Sequence, residues 1–236
     1  MSLRITAAAM IAALGLSGGM ASVAQAQGRP LTVVELFTSQ GCSSCPPADA
    51  NLATLAARPD ILALSFGVTY WDDLGWKDTF AQKAFTARQW DYARGLRHDQ
   101  VWTPQVVVNG RTDVVGTTLG EIEGALRKAP AAPGPTVQIS AAQASVSVAA
   151  AQPLARPAQV WLVRYEPQVV RVPVKRGENG GKTLPLTHVV RELTRLGEFT
   201  GGKATYRLPA AANTALSTAI LIQSGPGGPI LAAGRG

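Results

Sequence analysis

Cysteine and histidine are scarce in this chain of 236 residues, which holds two of each. Two cysteines cannot build the disulfide framework on which small secreted scaffolds rely. They stand only two residues apart, as Cys42 and Cys45, so a bridge between them closes a tiny loop and removes little entropy from the unfolded chain. Stapling is therefore a poor reason for the pair. A closed structural zinc site takes four ligands, and with only His98 and His188 to add it is not expected. Two thiolates alone suit Cu(I), which leaves a copper-handling module as an alternative. Internal repeats and low-complexity tracts are absent. Charged residues make up 16% of the chain and hydrophobic ones 46%, enough to bury a core of useful size. The basic residues are scattered singly without interleaved aromatics, so nucleic acid is not an expected partner.

Long apolar runs are also missing. Arg4 precedes a short apolar stretch over residues 5–16, and Ala24-Gln25-Ala26 is a small-x-small cleavage site. That order reads as a secretory signal peptide over residues 1–26. The stretch falls short of the ~20 residues needed to span a bilayer, so the mature chain is expected to carry no transmembrane segment. A bacterial periplasmic or secreted location follows, where disulfides persist. The net charge of +7 is uneven: residues 27–130 hold 10 basic against 11 acidic residues, and residues 131–236 hold 11 against 4. The second half thus carries the positive field, with Arg171, Lys175 and Arg176 as candidates for recognising a partner or the envelope.

The first half reads as alternating strands and helices. Residues 31–37 form a short apolar, β-branched run, a buried strand. Residues 41–45 make a turn, and Pro46 and Pro47 suit the first turn of a helix. Ala48, Leu52, Leu55 and Ala56 follow helical spacing up to Arg58-Pro59. Residues 61–68 form a second strand. Asp78 is placed to cap a helix that runs to Arg94, with Gly95 at its end. Residues 105–108 form a third strand, and Asn109-Gly110 signals a two-residue hairpin into a fourth at 112–115. Thr118 and Glu121 make a capping box for a last helix with Leu119, Ile122 and Leu126 on one face. The domain spans 27–129, and residues 130–135 form a stiff Pro-rich linker. Beyond it, runs at 136–140, 144–149, 159–165, 169–175, 189–193, 204–208, 218–223 and 229–232 have strand composition. They predict an all-β, sandwich-like second domain over 136–236.

This order, βαβαββα with Cys-x-x-Cys between the first strand and first helix, is that of the thioredoxin fold, so the expected fold class is an α/β thioredoxin-like domain followed by a β-sandwich-like domain. A cysteine at a helix N-terminus has its thiol pKa lowered. Cys42 is accordingly the expected nucleophile and Cys45 the resolving thiol. Thr103-Pro104 stands where such proteins place a cis-proline opposite the pair. The exposed backbone of Thr103 would then pair with an extended substrate. Glu35, inside the apolar first strand, is either a buried proton relay for the dithiol or a partly exposed strand carboxylate. In the aromatic loop 70–78, Trp71 and Trp76 either wall a substrate site at the C-terminal end of the sheet or plug the core. Residues 177–183 superficially resemble a phosphate loop. Arg176 occupies the position of the required first glycine, and the setting is β-rich, so a Gly-rich hairpin loop is expected there.

Together, residues 34–49, 70–78, 103–110 and 176–193 resemble a family of uncharacterised secreted bacterial proteins with a thioredoxin-like fold. The resemblance covers most of the mature chain, the second domain included. It implies fold and location more than substrate. The chain lacks the tryptophan that typical thioredoxins have before the first cysteine, and it has Ser43-Ser44 between the pair. The expected function is an exported thiol–disulfide oxidoreductase. It needs no cofactor, and its partners are protein or small-molecule disulfides and thiols together with a redox partner protein. The alternatives are a binding or Cu(I)-handling module without turnover and a purely structural bridge.

Overall fold

The computed structural model describes residues 30–236, so the expected signal peptide lies outside the described residues. The first half runs β1 (Thr32–Thr38), α1 (Pro46–Ala56), β2 (Ile61–Gly67), α2 (Lys83–Leu96), β3 (Gln105–Val108), β4 (Thr112–Val114) and α3 (Leu119–Lys128). The strands form one sheet in the order β2-β1-β3-β4. β1 and β2 are parallel, while β1–β3 and β3–β4 are antiparallel. Parallel neighbours need a crossover connection, and α1 supplies it. Prolines at its first two positions suit a helix start, Ala48, Leu52 and Leu55 are its buried stripe, and Pro59 follows its end.

Side chains alternate across a strand, so β1 divides its residues between two cores. Val34 and Leu36 pack with Ala63, Val106 and Val108 under α1 and α3. Val33 and Phe37 pack on the opposite face with Leu62, Leu64, Phe66 and Val107, covered by Phe85 and Tyr92 of α2.

The second half contains β5 (Thr136–Ser140), β6 (Ser145–Ala150), β7 (Ala158–Tyr165), β8 (Val170–Pro173), β9 (Thr183–Leu186), β10 (Val190–Phe199), β11 (Gly202–Arg207), β12 (Ser217–Gln223) and β13 (Ile230–Arg235). They form the sheets β10-β7-β12-β13 and β11-β6-β5 and the ribbon β8-β9. The first two sheets pack face to face through Val146, Val148, Val160, Leu162, Ile220 and Ile222. The other face of β7 and β12, with Val163, Tyr165, Ala219 and Leu221, joins the core over β1 and α2. β12 is therefore an apolar run buried on both sides. The Pro-rich segment 130–135 separates two strand orders, but a single hydrophobic cluster crosses between the halves. An isolated bridge from Ser65 to Val189 also continues the edge of β2.

Several elements differ from the sequence expectation. α2 starts at Lys83 rather than after Asp78: the Asp78 carboxylate accepts from the N–H groups of Phe80 and Ala81 in a turn that precedes the helix. Gly95 lies within α2 and not after it: the left-handed cap is Arg97, and the glycine instead answers a close approach, since a Cβ there would stand 2.2 Å from the carbonyl oxygen of Gly227. Asn109 and Gly110 both have positive φ, as the hairpin signal requires, but the register Val108↔Thr112 leaves three loop residues. The Glu121 carboxylate accepts from Gly116 N–H, two residues before the Thr118 cap. Leu119 is exposed, not on the buried face of α3. β9 carries Pro185, a residue that argues against a strand except at an edge, and a two-stranded ribbon is all edge. β10 runs on to Phe199 through a register shift between Arg195 and Gly197.

A buried polar cluster stands at the junction of the halves. Arg88 of α2 grips Glu35 of β1 with two hydrogen bonds, Nε–Oε1 2.7 Å and Nη2–Oε2 3.1 Å. Its Nη1 donates to Gln223 of β12 at 3.0 Å. The Tyr92 hydroxyl donates to Glu35 and accepts from Gln223. Burial is the largest single influence on Arg88 and opposes its charge, but Glu35, Tyr92 and Asp91 together outweigh it and the guanidinium pKa rises. Removing one partner of such a pair leaves an uncompensated buried charge. Arg88→Ala is therefore expected to lower the unfolding free energy by about 3–5 kcal/mol in urea titration. The double variant Glu35→Gln/Arg88→Met should recover roughly half of that loss.

Candidate dithiol site

Three segments meet at one end of the first sheet. β1 ends at Thr38 and leads into the cysteine turn. β2, parallel to it, ends at Gly67 and leads into the aromatic loop. β3, antiparallel, begins there with Gln105 opposite Phe37. Pro104 immediately precedes that pair, and the Thr103–Pro104 peptide is cis, as the sequence order suggested.

Cys42 and Cys45 form a disulfide with a Cα–Cα distance of 5.5 Å. Cys45 is the N-cap of α1, and its carbonyl accepts from Ala48 and Asp49 N–H. Cys42 N–H donates to Ser39 and Cys45 N–H donates to Cys42, which rolls the turn into the helix. The Cys42 sulfur lies 3.4 Å from Ser44 Oγ. Pro46 and Pro47 have no N–H, so the positive end of α1 acts on the sulfurs through its dipole with few free donors. Neither the expected nucleophile Cys42 nor Cys45 has exposed surface, while Ser43 and Ser44 between them are exposed.

The two tryptophans are half-buried and hydrogen-bonded. Trp71 Nε1 donates to Thr103 Oγ1 at 2.8 Å, tying the aromatic loop to the cis-proline. The ring packs on the core over β1, and its Cβ bounds the space above Gly41. Trp76 Nε1 donates to Gln40 Oε1 at 3.0 Å, and the side chain packs on the small apolar core around β8 and β9 in the second half.

Glu35 is held on the sheet face opposite α1, in the ion pair with Arg88. The acid on the cysteine side is Asp49, one helical turn after Cys45. It is buried and takes a single 3.4 Å hydrogen bond from Thr38 Oγ1. Burial raises its pKa to about 8, reinforced by the negative charge of Asp78, while the Thr38 bond acts the other way. Burial raises Asp78 as well, against the N–H groups of Gln40, Phe80 and Ala81 that hold its carboxylate.

Four site residues escaped the sequence reading. Gln40 is a buried hub: its N–H donates to Asp78, its amide pairs with Thr79 and Trp76, and its carbonyl accepts from Asn179. Asn179 also donates to the Cys42 carbonyl at 2.8 Å. Glu178 accepts from Ser43 N–H at 3.0 Å, and the Ser43 hydroxyl and amide hold its carboxyl below the ordinary range. Asp49 is the fourth; an acid in a first helical turn is commonplace and carries no signal of its own. His98 lies against Asp113 and Trp102, and His188 against Ala63 and Tyr165. Among the described residues no three His, Cys, Asp or Glu side chains group to hold a metal ion, and no helix is long and apolar enough to cross a membrane.

Residues 33–223 match a family described as "Protein of unknown function (DUF1223)". No curated protein matches the chain. The crystal structure of protein AGR_C_4864 from Agrobacterium tumefaciens is similar at 33% identity and a TM-score of 0.71, over 86% of this chain and 92% of that one. HBP35 of Porphyromonas gingivalis is similar at 11% identity and a TM-score of 0.58, over 88% and 74%. At that identity the likeness is one of fold alone.

Asp49 gives the site a pH signature. Its carboxyl ionises near pH 8 in the folded chain and near 3.8 when unfolded, so between those values the folded state binds the extra proton. Stability is expected to fall as pH rises from about 4 to about 8, with Asp78 adding to the same slope. Asp49→Asn should flatten that decline in urea midpoints taken across the range. An unchanged slope would mean that Asp49 ionises normally.

Proposed function

The chain belongs to the DUF1223 family of proteins of unknown function, and we propose that it is an exported thiol–disulfide oxidoreductase built on a thioredoxin-like domain. The observation that carries this reading is the Cys42–Cys45 disulfide at the N-terminus of α1, set at the sheet end where the cis Thr103–Pro104 bond also lies. The sheet order β2-β1-β3-β4, parallel and then antiparallel, is the arrangement that a thioredoxin-like domain requires. The signal-peptide pattern read in the sequence of residues 1–26 supports export. Export in turn supports a lasting disulfide.

In the reduced state the dipole of α1 favours the Cys42 thiolate. That thiolate attacks one sulfur of a substrate disulfide; the substrate bond breaks, and the departing sulfur takes a proton. Cys45 then loses its proton and attacks Cys42 Sγ. The second substrate thiol is released, and the internal bridge is restored. The reverse sequence oxidises a substrate dithiol, and the reduction potential sets the direction. Asp49, a buried acid one turn from Cys45 with a pKa pushed up to about 8, is suited to take up and return the Cys45 proton. Thr103 and the Trp71 ring bound to it offer the backbone edge and the apolar wall for an extended peptide.

Cys42→Ala should abolish exchange, and Cys45→Ala should accumulate mixed disulfides with a peptide thiol, visible as a mass increment removed by reductant. The potential of the pair, titrated in glutathione buffer, is expected between about −120 and −270 mV. A value below about −300 mV, the range of structural bridges, would overturn this function.

A further inference from the structure

Asn179 stands out in the loop that joins β8 to β9: of residues 175–181 it alone is buried. Its Nδ2 donates to the carbonyls of Gln40 and Cys42, 139 and 137 residues away in sequence. Its Oδ1 accepts from Lys182 Nζ at 3.0 Å. Beside it, Glu178 takes the Ser43 N–H. Gly177 lies against Trp76, close enough that a Cβ would stand 3.1 Å from the Trp76 Cβ.

The hairpin has fastenings of its own besides these contacts. It is held by pairing from Val170↔Leu186 to Pro173↔Thr183, by the Val174–Lys182 and Gly181–Val174 backbone bonds, and by a small core of Val172, Val174, Leu184, Leu186 and Val189. The side chains of Asn179 and Glu178 reach beyond that unit onto the backbone of the cysteine turn. There, both sulfurs are fully covered.

We propose that Glu178 and Asn179 form a clasp through which the β-rich half controls the dithiol: while they hold the cysteine turn, thiols are kept from Cys42 Sγ, and the loop must release it before exchange begins. The inference rests on the redox reading above. The step it governs is the attack of an incoming thiolate. Its sulfur bonds to Cys42 Sγ and the Cys42–Cys45 bond breaks. The electron pair leaves on Cys45 Sγ, which takes a proton. With a dithiol reductant, the second thiolate of the same molecule then displaces Cys42, leaving two protein thiols and the cyclic disulfide of the reductant. The Glu178 carboxylate, bound to the peptide that follows Cys42, adds a negative charge that an approaching thiolate must meet.

The experiment is the rate at which dithiothreitol reduces the bridge in the full mature chain, quenched with acid, alkylated and read by mass. Asn179→Ala, which removes both donors, is expected to be reduced roughly tenfold faster. Glu178→Gln is expected to be reduced roughly threefold faster at low ionic strength, with the gain shrinking in high salt. Glu178 is exposed, so that variant tests the clasp even if Asn179→Ala loses its cooperative unfolding transition. Exchange with a peptide disulfide is measured in parallel on all three proteins. Parent-like reduction rates in the variants overturn the clasp and leave the redox function standing if peptide exchange persists. Faster reduction without peptide exchange in any of the proteins supports the clasp and overturns the redox function.

Discussion

The ion pair between Glu35 and Arg88 fixes how the two halves of this protein meet. Both side chains are buried, and the guanidinium fork binds the carboxylate through two nitrogens while a third reaches Gln223 of β12. Apolar replacements of such pairs are often neutral for stability, so its main contribution is orientation. A hydrophobic face tolerates sliding, whereas a bidentate fork with a further partner accepts one placement. β1, α2 and β12 are locked by it. Because β7 pairs with β12, and β10 with β7, the start of β10 is carried to the edge of β2, where Val189 bridges Ser65. The β8–β9 hairpin precedes β10 in the chain and is thereby delivered to the cysteine turn. The Asn179–Cys42 hydrogen bond is 2.8 Å long, so a shift of about 1 Å in docking would withdraw Asn179 from Cys42.

What the sequence shows of this structure is what local periodicity and local stereochemistry can write. α1 is legible because its prolines, its apolar spacing and its stop lie within fourteen residues. The same holds for β1, β2 and β3, which are apolar runs bounded by turns. The cis-proline is legible from its place before β3. Where local signals were wrong, a distant partner had intervened. Asp78 has the chemistry of a helix cap, but its carboxylate serves Gln40, and the chain needs five more residues to reach the face of β2 on which α2 packs. β9 holds a proline that only a ribbon edge tolerates. The linker 130–135 looks like a boundary because composition changes there, yet apolar faces on both sides of it meet in one cluster.

Glu35 shows how sharply a strand turns one residue of register into a change of role. Neighbouring positions of β1 face opposite cores. At 34 or 36 an acid would look toward α1 and the cysteines; at 35 it looks toward α2 and meets Arg88. A buried acid on the cysteine side is supplied instead by the helix, at Asp49. Nothing in the linear sequence separates these cases, since a lone carboxylate in an apolar run reads the same on either face. Gln40, Glu178 and Asn179 were invisible for a related reason: the hydrogen bonds that bring them to the site join segments 36 to 139 residues apart.

The remaining tension lies at Cys42 itself. The end of α1 favours a thiolate there, but Pro46 and Pro47 remove two of the amides that would have solvated it, and Glu178 occupies the N–H of Ser43. A group held by a dipole with few donors, next to a carboxylate, is less acidic than the position alone would make it. Destabilising the thiolate favours the disulfide, which lowers the reduction potential of the pair relative to a site with open amides. That balance depends on residues from both halves of the chain. If the bridge is catalytic, its potential belongs to the assembled pair of halves, and the second half is part of the redox centre as well as its neighbour in sequence.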